Sequence, residues 1–265
     1  MKKYLVIGNP VEHSLSPQLH NYWLKKNNIK AIYEKKLLKI SEIQEIILQM
    51  KKDQINGVNV TIPFKNSVIP FLDDITDLAK ETQSVNTLYK KKGKVIGDNT
   101  DVGGFKCALE NINYNVKEKK ILILGAGGVT PSVIAALKKM GALDITLSNR
   151  TKDKAEKLKK IYPDLKVIDW GKLSEFDMVI NATSLGLKKE DKIEIDYSVV
   201  GSNKFFYDII YSPSKTKFLS KAKELLNQTE NGKKMFIYQA QLAFEIWHGI
   251  KPEIDDEVIK LLDND

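Results

Sequence analysis

The feature that most restricts the fold of this chain is a glycine-rich turn between a short apolar strand and a helix. Residues Lys120 to Leu124 form the apolar run, Gly125 to Gly128 follow at once, and Ser132 to Met140 have helical spacing. In a dinucleotide-binding fold, the first glycine makes the tight turn and the second lets a pyrophosphate approach the backbone at the helix N-terminus. The glycines alone are weak evidence, but their position between strand and helix predicts a Rossmann-type cofactor domain.

The end of the second strand, Asp144 to Ser148, decides between NAD and NADP. An acidic residue there would bind the ribose 2′-hydroxyl of NAD, whereas a basic residue suits the 2′-phosphate of NADP. The chain has Asn149, Arg150 and Thr151 at this point, and Arg150 is the only arginine among its 42 basic residues. Because a guanidinium can hold a phosphate through two hydrogen bonds, we expect NADP(H) as the cofactor.

The glycine turn departs from the usual pattern at one point. Thr130 occupies the third small position, and Pro131 follows it. Proline is tolerated in the first turn of a helix because its missing N–H would have no partner there. The sequence leaves open whether the pyrophosphate pocket is altered.

The organisation of the chain indicates two α/β domains joined by a cleft. The first hundred residues read as strands alternating with helices, including a helix from Ser41, its N-cap, to Met50, and a hairpin around Gly93. From about Asp101, strands alternate with helices as in a parallel sheet covered on both faces. The fold class is therefore α/β, with an N-terminal mixed-sheet substrate domain and a doubly wound, parallel-sheet Rossmann domain.

Composition excludes several classes of function. The net charge is +8, but the lysines are spread along the chain without interleaved aromatics, so we expect no nucleic-acid partner. No apolar run approaches the ~18 residues of a membrane span, and Tyr4 to Ile7 is too short for a signal peptide. We therefore expect a cytoplasmic protein without a membrane partner. One cysteine, Cys107, excludes an intrachain disulfide, and three scattered histidines offer no metal-ligand spacing.

Polar side chains gather in four short segments of the first hundred or so residues. These segments are Gly8–Pro17, Asn59–Lys65, Ser84–Thr87 and Gly97–Gly104. Hydroxyls, amides, one lysine and one aspartate at the ends of strands are the groups that would hold a small polyhydroxylated substrate. Any one of these segments alone is more typical of a turn or a helix cap.

The sequence resembles shikimate dehydrogenases along essentially its whole length. The matching motifs occur in order: G-x-P-x-x-H-S-x-S-P from Gly8, N-V-T-I-P-F-K ending at Lys65, V-N-T from Val85, G-x-N-T-D-x-x-G from Gly97, G-A-G-G at Gly125, N-R-T at Asn149, N-A-T-S at Asn181, Y-D-x-x-Y-x-P from Tyr207, and Asn231-Gly232 leading to Gln239 and Trp247. So many ordered matches exclude chance similarity.

The resemblance implies a role for each matching position. Lys65 and Asp101 match the catalytic pair beside the 3-hydroxyl, and Ser14 and Ser16 match the pair that holds the substrate carboxylate. The other implied substrate contacts are Asn59, Thr61, Asn86, Tyr211 and Gln239. The implied cofactor contacts are Gly125, Ala126, Gly127, Gly128, Asn149, Arg150 and Thr151, with Thr183 and Gly232 near the nicotinamide. The resemblance also implies a discontinuous substrate domain, 1–101 with the C-terminal helices of 237–265, around a cofactor domain, 102–236.

The reaction implied is the reversible, NADPH-dependent reduction of 3-dehydroshikimate to shikimate, a step of chorismate and aromatic amino acid biosynthesis. A lysine works as an acid or base when burial brings its pKa toward the working pH, whereas a neighbouring carboxylate opposes that shift. The sequence therefore does not decide which residue moves the proton. Our hypothesis is that Lys65 is the acid/base and that Asp101 orients it.

Three alternatives remain at this point. A quinate/shikimate dehydrogenase would accept quinate, the saturated analogue of shikimate, or NAD. Ser14 and Ser16 favour shikimate, and Arg150 favours NADP. A non-catalytic NADPH-binding regulator would be expected to have lost Lys65 or Asp101, and both are present. Methylenetetrahydrofolate dehydrogenase shares the two-domain plan but would be expected to show a pterin pocket. Whether the protein is a monomer or a homodimer is not encoded in any pattern of the sequence.

Overall fold

The structure is a computed structural model that describes residues 1–263 of the 265-residue chain. The chain divides into two compact units. The first unit contains Met1–Gly104 and the segment that begins at Ile237, and the second contains Phe105–Phe236. Residues 264 and 265, which belong to the C-terminal segment predicted from the sequence, lie outside the described residues.

The regular elements of residues 1–263 alternate along the chain. The strands are β1 Lys2–Gly8, β2 Ala31–Leu37, β3 Gly57–Val60, β4 Asp74–Ile75, β5 Thr87–Lys91, β6 Lys94–Asp98, β7 Lys120–Leu124, β8 Asp144–Ser148, β9 Lys166–Ile168, β10 Met178–Asn181, β11 Phe205–Asp208 and β12 Gln228–Glu230. The helices are α1 Ser16–Lys26, α2 Ile43–Lys51, α3 Phe64–Ser67, α4 Asp77–Thr82, α5 Thr100–Asn111, α6 Thr130–Lys139, α7 Lys152–Ile161, α8 Lys217–Glu224, α9 Lys233–His248 and α10 Asp256–Leu261.

The sheet of the first unit has the strand order β2-β1-β3-β5-β6-β4. Strand β1 runs parallel to β2 and β3, whereas β5 is antiparallel to both β3 and β6. The sheet is therefore mixed, as the sequence predicts. The hairpin of β5 and β6 reverses the chain, so the end of β6 lies beside the start of β5, with Thr87 opposite Asp98.

Helix α2 covers the apolar face of the first sheet. Its Ile43, Ile46, Ile47 and Met50 are buried and belong to the same apolar cluster as Ile7 and other strand residues. The sequence predicts this face correctly but not the start of the helix. Ser41 is not its N-cap, because a 3₁₀ turn, Ile40–Glu42, precedes a helix that begins at Ile43 without a side-chain cap.

The second unit has the sheet order β12-β11-β10-β7-β8-β9, and every pair of neighbouring strands is parallel. Strands β10 and β11 are buried along their whole length, as are Ile121 to Leu124 of β7, which is typical of a parallel sheet covered on both faces. This arrangement is the doubly wound Rossmann order and confirms the predicted fold class. The carboxyl ends of its strands meet at one edge, where such folds bind ligands.

None of the helices within residues 1–263 has the length and the apolar character that a membrane span requires.

Candidate functional site

The two residues that the sequence singles out for catalysis are in direct contact in the first unit. Lys65 lies in α3 and Asp101 in the first turn of α5. The Lys65 Nζ donates a hydrogen bond to Asp101 Oδ2 at 2.6 Å, and the side chains are only 12% and 6% exposed. The positive N-terminal end of a helix favours a carboxylate in its first turn. The pair is therefore a largely buried charge pair that faces little solvent screening.

Asn86 fixes the other oxygen of this carboxylate. Its Nδ2 donates to Asp101 Oδ1 and to Thr100 Oγ1, both at 2.9 Å, and lies 3.4 Å from Gln239 Oε1. Its Oδ1 accepts the backbone N–H of Thr100 at 2.7 Å. Because Lys65 and Asn86 bind different oxygens, the Asp101 carboxylate is held from two sides.

The paired serines lie where the loop after β1 turns into α1. Ser14 Oγ donates to Ser16 Oγ at 3.1 Å and accepts the N–H of Ser16 at 3.3 Å. Ser16 is the first residue of the helix, and Pro17 follows in its first turn. Ser16 is 7% exposed. The helix N-terminus and the two hydroxyls together favour an anion such as a carboxylate.

Asn59 connects Tyr33 to the segment of Asn86, the residue that holds the catalytic pair. Its Oδ1 accepts a hydrogen bond from Tyr33 Oη at 2.7 Å, and its Nδ2 donates to Asn86 O at 3.1 Å and Thr87 Oγ1 at 3.2 Å. Asn59 is 6% exposed. The side chain that the resemblance implies as a substrate contact therefore has protein partners at both its oxygen and its nitrogen.

Tyr33 and Thr87 are the network residues that sequence reasoning missed. Tyr33 lies in β2, and Thr87 begins β5. A tyrosine inside a predicted strand and a threonine at the start of one are ordinary core residues by pattern. Only the packing of β2, β1 and β3 side by side brings the Tyr33 hydroxyl to Asn59.

The remaining predicted substrate residues lie in different places. Thr61 directly follows β3, and its methyl group packs so close to Gly8 that a Cβ there would lie 2.5 Å from Thr61 Cγ2. Gln239 lies in α9 within the first unit and reaches Asn86. Tyr211 lies in the second unit, where its ring stacks on Phe236 with a centroid separation of 4.5 Å. The structure thus links most of the predicted substrate residues within one unit and places Tyr211 in the other.

The glycine turn of the second unit is closed by a threonine hydroxyl. Gly125 has φ +104°, and a Cβ there would lie 2.6 Å from Thr183 Cγ2, so only glycine fits. Thr130 Oγ1 donates to Gly125 O at 2.8 Å and accepts the N–H of Gly127 at 3.1 Å. Helix α6 begins at Thr130, with Pro131 in its first turn. The departure from the usual pattern therefore leaves the helix start intact and adds a hydroxyl that braces the turn.

The loop after β8 is tied to the glycine turn by Asn149. Its Oδ1 accepts the N–H of Ala126 at 2.9 Å, and its Nδ2 donates to Thr151 O at 2.7 Å. Arg150, between them, is exposed. A cavity of about 210 Å³ opens beside it, with basic, acidic and apolar walls formed by Asn149, Arg150, Lys152, Glu156, Lys159, Val167, Ile168, Asp169 and Trp170.

A buried carboxylate organises the ends of β10 and β11. Asp208 accepts hydrogen bonds from Asn181 Nδ2 at 2.9 Å, from Ile210 N at 3.0 Å and from Thr216 Oγ1 at 2.6 Å. Asn181 Oδ1 in turn accepts from Thr183 Oγ1 at 2.7 Å and from its backbone N–H. Burial raises the pKa of Asp208 to about 6. Asp208 and Asn181 thus hold Thr183 in place through hydrogen bonds. The resemblance assigns neither Asp208 nor Asn181 a role in the site.

Gly232 is required by close packing. Its N–H donates to Ile210 O at 3.0 Å, and a Cβ at this position would lie 1.9 Å from Ile209 O. Gly125, Asn149, Thr183 and Gly232 all follow the carboxyl ends of strands of the parallel sheet. That edge, with its exposed glycine backbone and basic loop, fits the phosphates of a dinucleotide.

No group of three or more His, Cys, Asp and Glu side chains within residues 1–263 is arranged to hold a metal ion.

Comparison with protein families gives three matches that follow one another along the chain. The "Shikimate dehydrogenase substrate binding domain" matches residues 6–88, and "Shikimate / quinate 5-dehydrogenase" matches residues 106–209. The "Shikimate 5'-dehydrogenase C-terminal domain" matches residues 234–256. The matched segments fall on both units.

Individual proteins agree with these matches. The shikimate dehydrogenase (NADP(+)) of Pelagibacter ubique (strain HTCC1062) is 58% identical over 262 residues, which are 99% of each chain. The crystal structure of shikimate dehydrogenase from Aquifex aeolicus has a TM-score of 0.91 and 38% identity, covering 100% of this chain and 98% of that one. A shikimate dehydrogenase solved in complex with NADP+ has a TM-score of 0.91 and 34% identity, covering 100% and 94%.

Proposed function

This chain belongs to the shikimate dehydrogenase family, and from that membership we propose that it catalyses the reversible NADPH-dependent reduction of 3-dehydroshikimate to shikimate. The observation that carries the proposal is the buried pair of Lys65 and Asp101, held by Asn86. An oxidoreductase acting on a secondary alcohol needs a proton donor and acceptor at the alcohol oxygen, and this pair supplies one.

The proton chemistry follows from the geometry of the pair. In the reducing direction, the carbonyl carbon gains a hydride and its oxygen gains a proton. One hydrogen of the Lys65 ammonium is directed at Asp101 Oδ2, 2.6 Å away, which leaves two hydrogens for other acceptors. We assign to Lys65 the transfer of the proton to the substrate oxygen, and in the oxidising direction its removal.

Asp101 has the orienting role in this proposal. Its carboxylate accepts from Lys65 on one oxygen and from Asn86 on the other, so its position is fixed before the substrate arrives. A charge partner held in advance avoids reorganisation during the reaction. Gln239, within reach of Asn86, is available to the hydroxyls of the substrate, and the Ser14 and Ser16 hydroxyls to its carboxylate.

NADPH, when bound, supplies the hydride. The exposed glycine turn would hold its pyrophosphate, and Arg150 its 2′-phosphate. The cavity beside Arg150 supports this choice of cofactor because Lys152 and Lys159 also line it, which gives three basic side chains around an anion. Glu156 and Asp169 are acidic side chains of the same lining and partly offset this positive charge.

The test is reduction of nicotinamide followed by absorbance, with shikimate or quinate and NADP or NAD in all four pairings. Fast reduction only with shikimate and NADP is the expected result. Comparable rates with quinate or NAD would move the protein to the quinate/shikimate dehydrogenases. No reduction in any pairing, with NADPH still bound, would contradict catalysis and favour a regulator.

The substrate is a small molecule, and the oligomeric state and cellular location stay predictions. The sequence leaves a monomer and a homodimer open and predicts a cytoplasmic protein. Light scattering after size-exclusion chromatography distinguishes the two masses, ~30 and ~60 kDa, for a chain of 30.1 kDa.

A further inference from the structure

We propose that Tyr33 is a positioning residue for substrate binding, acting through Asn59. The inference rests on the proposed function and adds a residue that neither the family motifs nor the sequence pattern assigns to the site. Its hydroxyl fixes the orientation of Asn59, which contacts Asn86 and Thr87 beside Asp101. It does not itself belong to the reacting groups.

The hydroxyl of Tyr33 has a buried partner from a distant part of the chain. It donates to Asn59 Oδ1 at 2.7 Å. Both residues are less than 9% exposed. Tyr33 and Asn59 lie on strands to either side of β1, in register with Tyr4 and Val6. The tyrosine therefore spans the central strand to connect β2 with β3.

The ring of Tyr33 is held in one orientation by a stack with His20. The two rings are parallel within 1°, and their centroids are 4.3 Å apart. Complete burial lowers the pKa of His20 to about 3, so the imidazole is neutral at physiological pH. Trp23 and Trp247 pack around it with centroids at 5.7 and 5.4 Å. His20 thus acts here as a flat apolar surface that aims the Tyr33 hydroxyl.

The hydrogen bond from Tyr33 fixes the orientation of the Asn59 amide. Because Tyr33 donates to Asn59 Oδ1, the amide must present Nδ2 to Asn86 O and Thr87 Oγ1. Thr87 Oγ1 also hydrogen-bonds Asn86 Oδ1 at 3.1 Å. Without the Tyr33 hydroxyl, Asn59 can flip, so the substrate would meet groups that are not yet arranged. The cost then appears in substrate binding, whereas the cofactor sites of the second unit keep their own hydrogen bonds.

The experiment compares Tyr33→Phe with Tyr207→Phe. Tyr33→Phe keeps the ring and its stack and removes only the hydroxyl. Tyr207 is the matched control because it is also fully buried and, within the described residues, its hydroxyl has no hydrogen-bond partner. We expect Tyr33→Phe to raise the KM for shikimate about 10-fold, the upper range for one neutral hydrogen bond, with kcat and the KM for NADP changed less than about 2-fold. Tyr207→Phe should change none of these constants.

Two further variants test the stack independently of Tyr33. His20→Phe keeps a flat ring against Tyr33 and should leave the KM for shikimate near the wild-type value. His20→Leu removes the flat surface and should raise it. These two variants decide the matter if Tyr33→Phe does not fold.

An unchanged KM for shikimate in Tyr33→Phe, or an equal fall in kcat for both tyrosine variants, would overturn the inference. A loss of thermal stability without any KM change would reduce Tyr33 to a structural residue and would also overturn it. Wild-type protein inactive with shikimate and NADP would instead overturn the proposed function and this inference with it. Wild-type activity with an unaltered Tyr33→Phe variant would overturn the inference alone.

Discussion

The two units of this protein arrange their binding groups by different physical means. In the first unit, Asn59 and Asn86 are buried and linked through the Thr87 hydroxyl, which accepts from Asn59 Nδ2 and donates to Asn86 Oδ1. In the second unit, Gly127 and Arg150 are exposed, and the Thr130 and Asn149 side chains fix the loops that carry them. A buried hydroxyl- and amide-lined site suits a small substrate with directional hydroxyls. An open backbone site with one exposed guanidinium suits the phosphates of a larger nucleotide.

This difference between the units predicts how many neighbouring residues a substitution in each of them affects. Removing a side chain from the buried network leaves neighbouring polar groups without partners, so it changes the geometry of several residues at once. Removing an exposed side chain from the cofactor loops deletes one interaction and leaves the rest in place. The following experiments test this contrast in order of expected effect.

Lys65→Ala should give the largest effect. Loss of the acid/base should lower kcat by roughly 100-fold or more, and Asp101 would be left as a buried charge without its partner. NADPH affinity, measured by fluorescence titration, should change less than about 2-fold if the units bind independently. Lys138→Ala is the matched control, because Lys138 forms an equally short 2.6 Å pair with Asp164 in which the side chains are 38% and 67% exposed. A variant that raises only the KM for shikimate would refute the acid/base assignment.

Arg150→Ala should weaken cofactor binding without disturbing the site around it. Loss of a charge-assisted hydrogen bond to the 2′-phosphate should raise the Kd for NADPH roughly 10- to 100-fold and leave the Kd for NADH nearly unchanged. Lys159→Ala, which lines the same cavity, should have a smaller effect in the same direction. Lys160→Ala, on the same helix but outside the cavity lining, is the control. Equal losses for both nucleotides would place Arg150 away from the 2′-phosphate.

Acidification should destabilise the first unit and stabilise the second. Burial lowers the pKa of His20 to about 3, below its unfolded value of 6.5, so its contribution is full above pH 6.5 and is lost as the pH falls toward 3. Burial raises the pKa of Asp208 from 3.8 to about 6, so its unfavourable contribution is full above pH 6 and declines toward pH 4. From pH 7 to pH 5, the free energy of opening should fall by about 2 kcal/mol at β1 and rise by about 1 kcal/mol at β11.

Amide hydrogen exchange at the two pH values measures both changes in one sample. His20→Phe should reduce the pH dependence at β1 without abolishing it, because His248, whose pKa burial lowers to about 4, also packs on Tyr4 of β1. Substitution of the exposed His13 is the control. A fall of equal size at β11 would mean that Asp208 does not control that strand.

Thr130→Val should produce the smallest effect. Loss of the hydroxyl leaves the Gly127 N–H without its bracing partner, which should lower the free energy of unfolding by about 1 kcal/mol. Thr130→Ser keeps the hydroxyl and should restore most of the loss, as urea denaturation would measure. If Thr130→Ser is as unstable as Thr130→Val, the methyl group rather than the hydrogen bonds stabilises the turn.

The sequence predicts the elements with strong local signals. The strands Lys120–Leu124 and Asp144–Ser148 have the predicted bounds because apolar runs, glycines and helical spacing coincide there. The sequence does not give the bounds of strand β11, Phe205–Asp208, or of the short helix α10, because their patterns are brief and tertiary packing decides them.

The residues of the site likewise divide into those that the sequence predicts and those that it does not. The motifs identify Lys65, Asp101 and Asn86 because each of these residues lies in a short run that matches the shikimate dehydrogenase pattern. Tyr33 lies in none of the matching motifs, and Asp208 lies in one that assigns it no role, so only the structure shows the partners of both residues. Hydrogen bonds between segments distant in sequence are invisible to local pattern, and these are the bonds that orient the site.

The first unit is assembled from both ends of the chain, and this has a kinetic consequence. Trp247 of α9 donates to Leu88 O at 2.9 Å, and Trp23 donates to Glu253 O at 3.0 Å, across 159 and 230 positions. Contacts of such high contact order form late in folding. During synthesis, all of residues 105–232 leave the ribosome before α9 does. The nascent first unit therefore exposes the surface around Gly57, which Trp247 later covers, until α9 has been translated, and a chaperone has that interval in which to bind it.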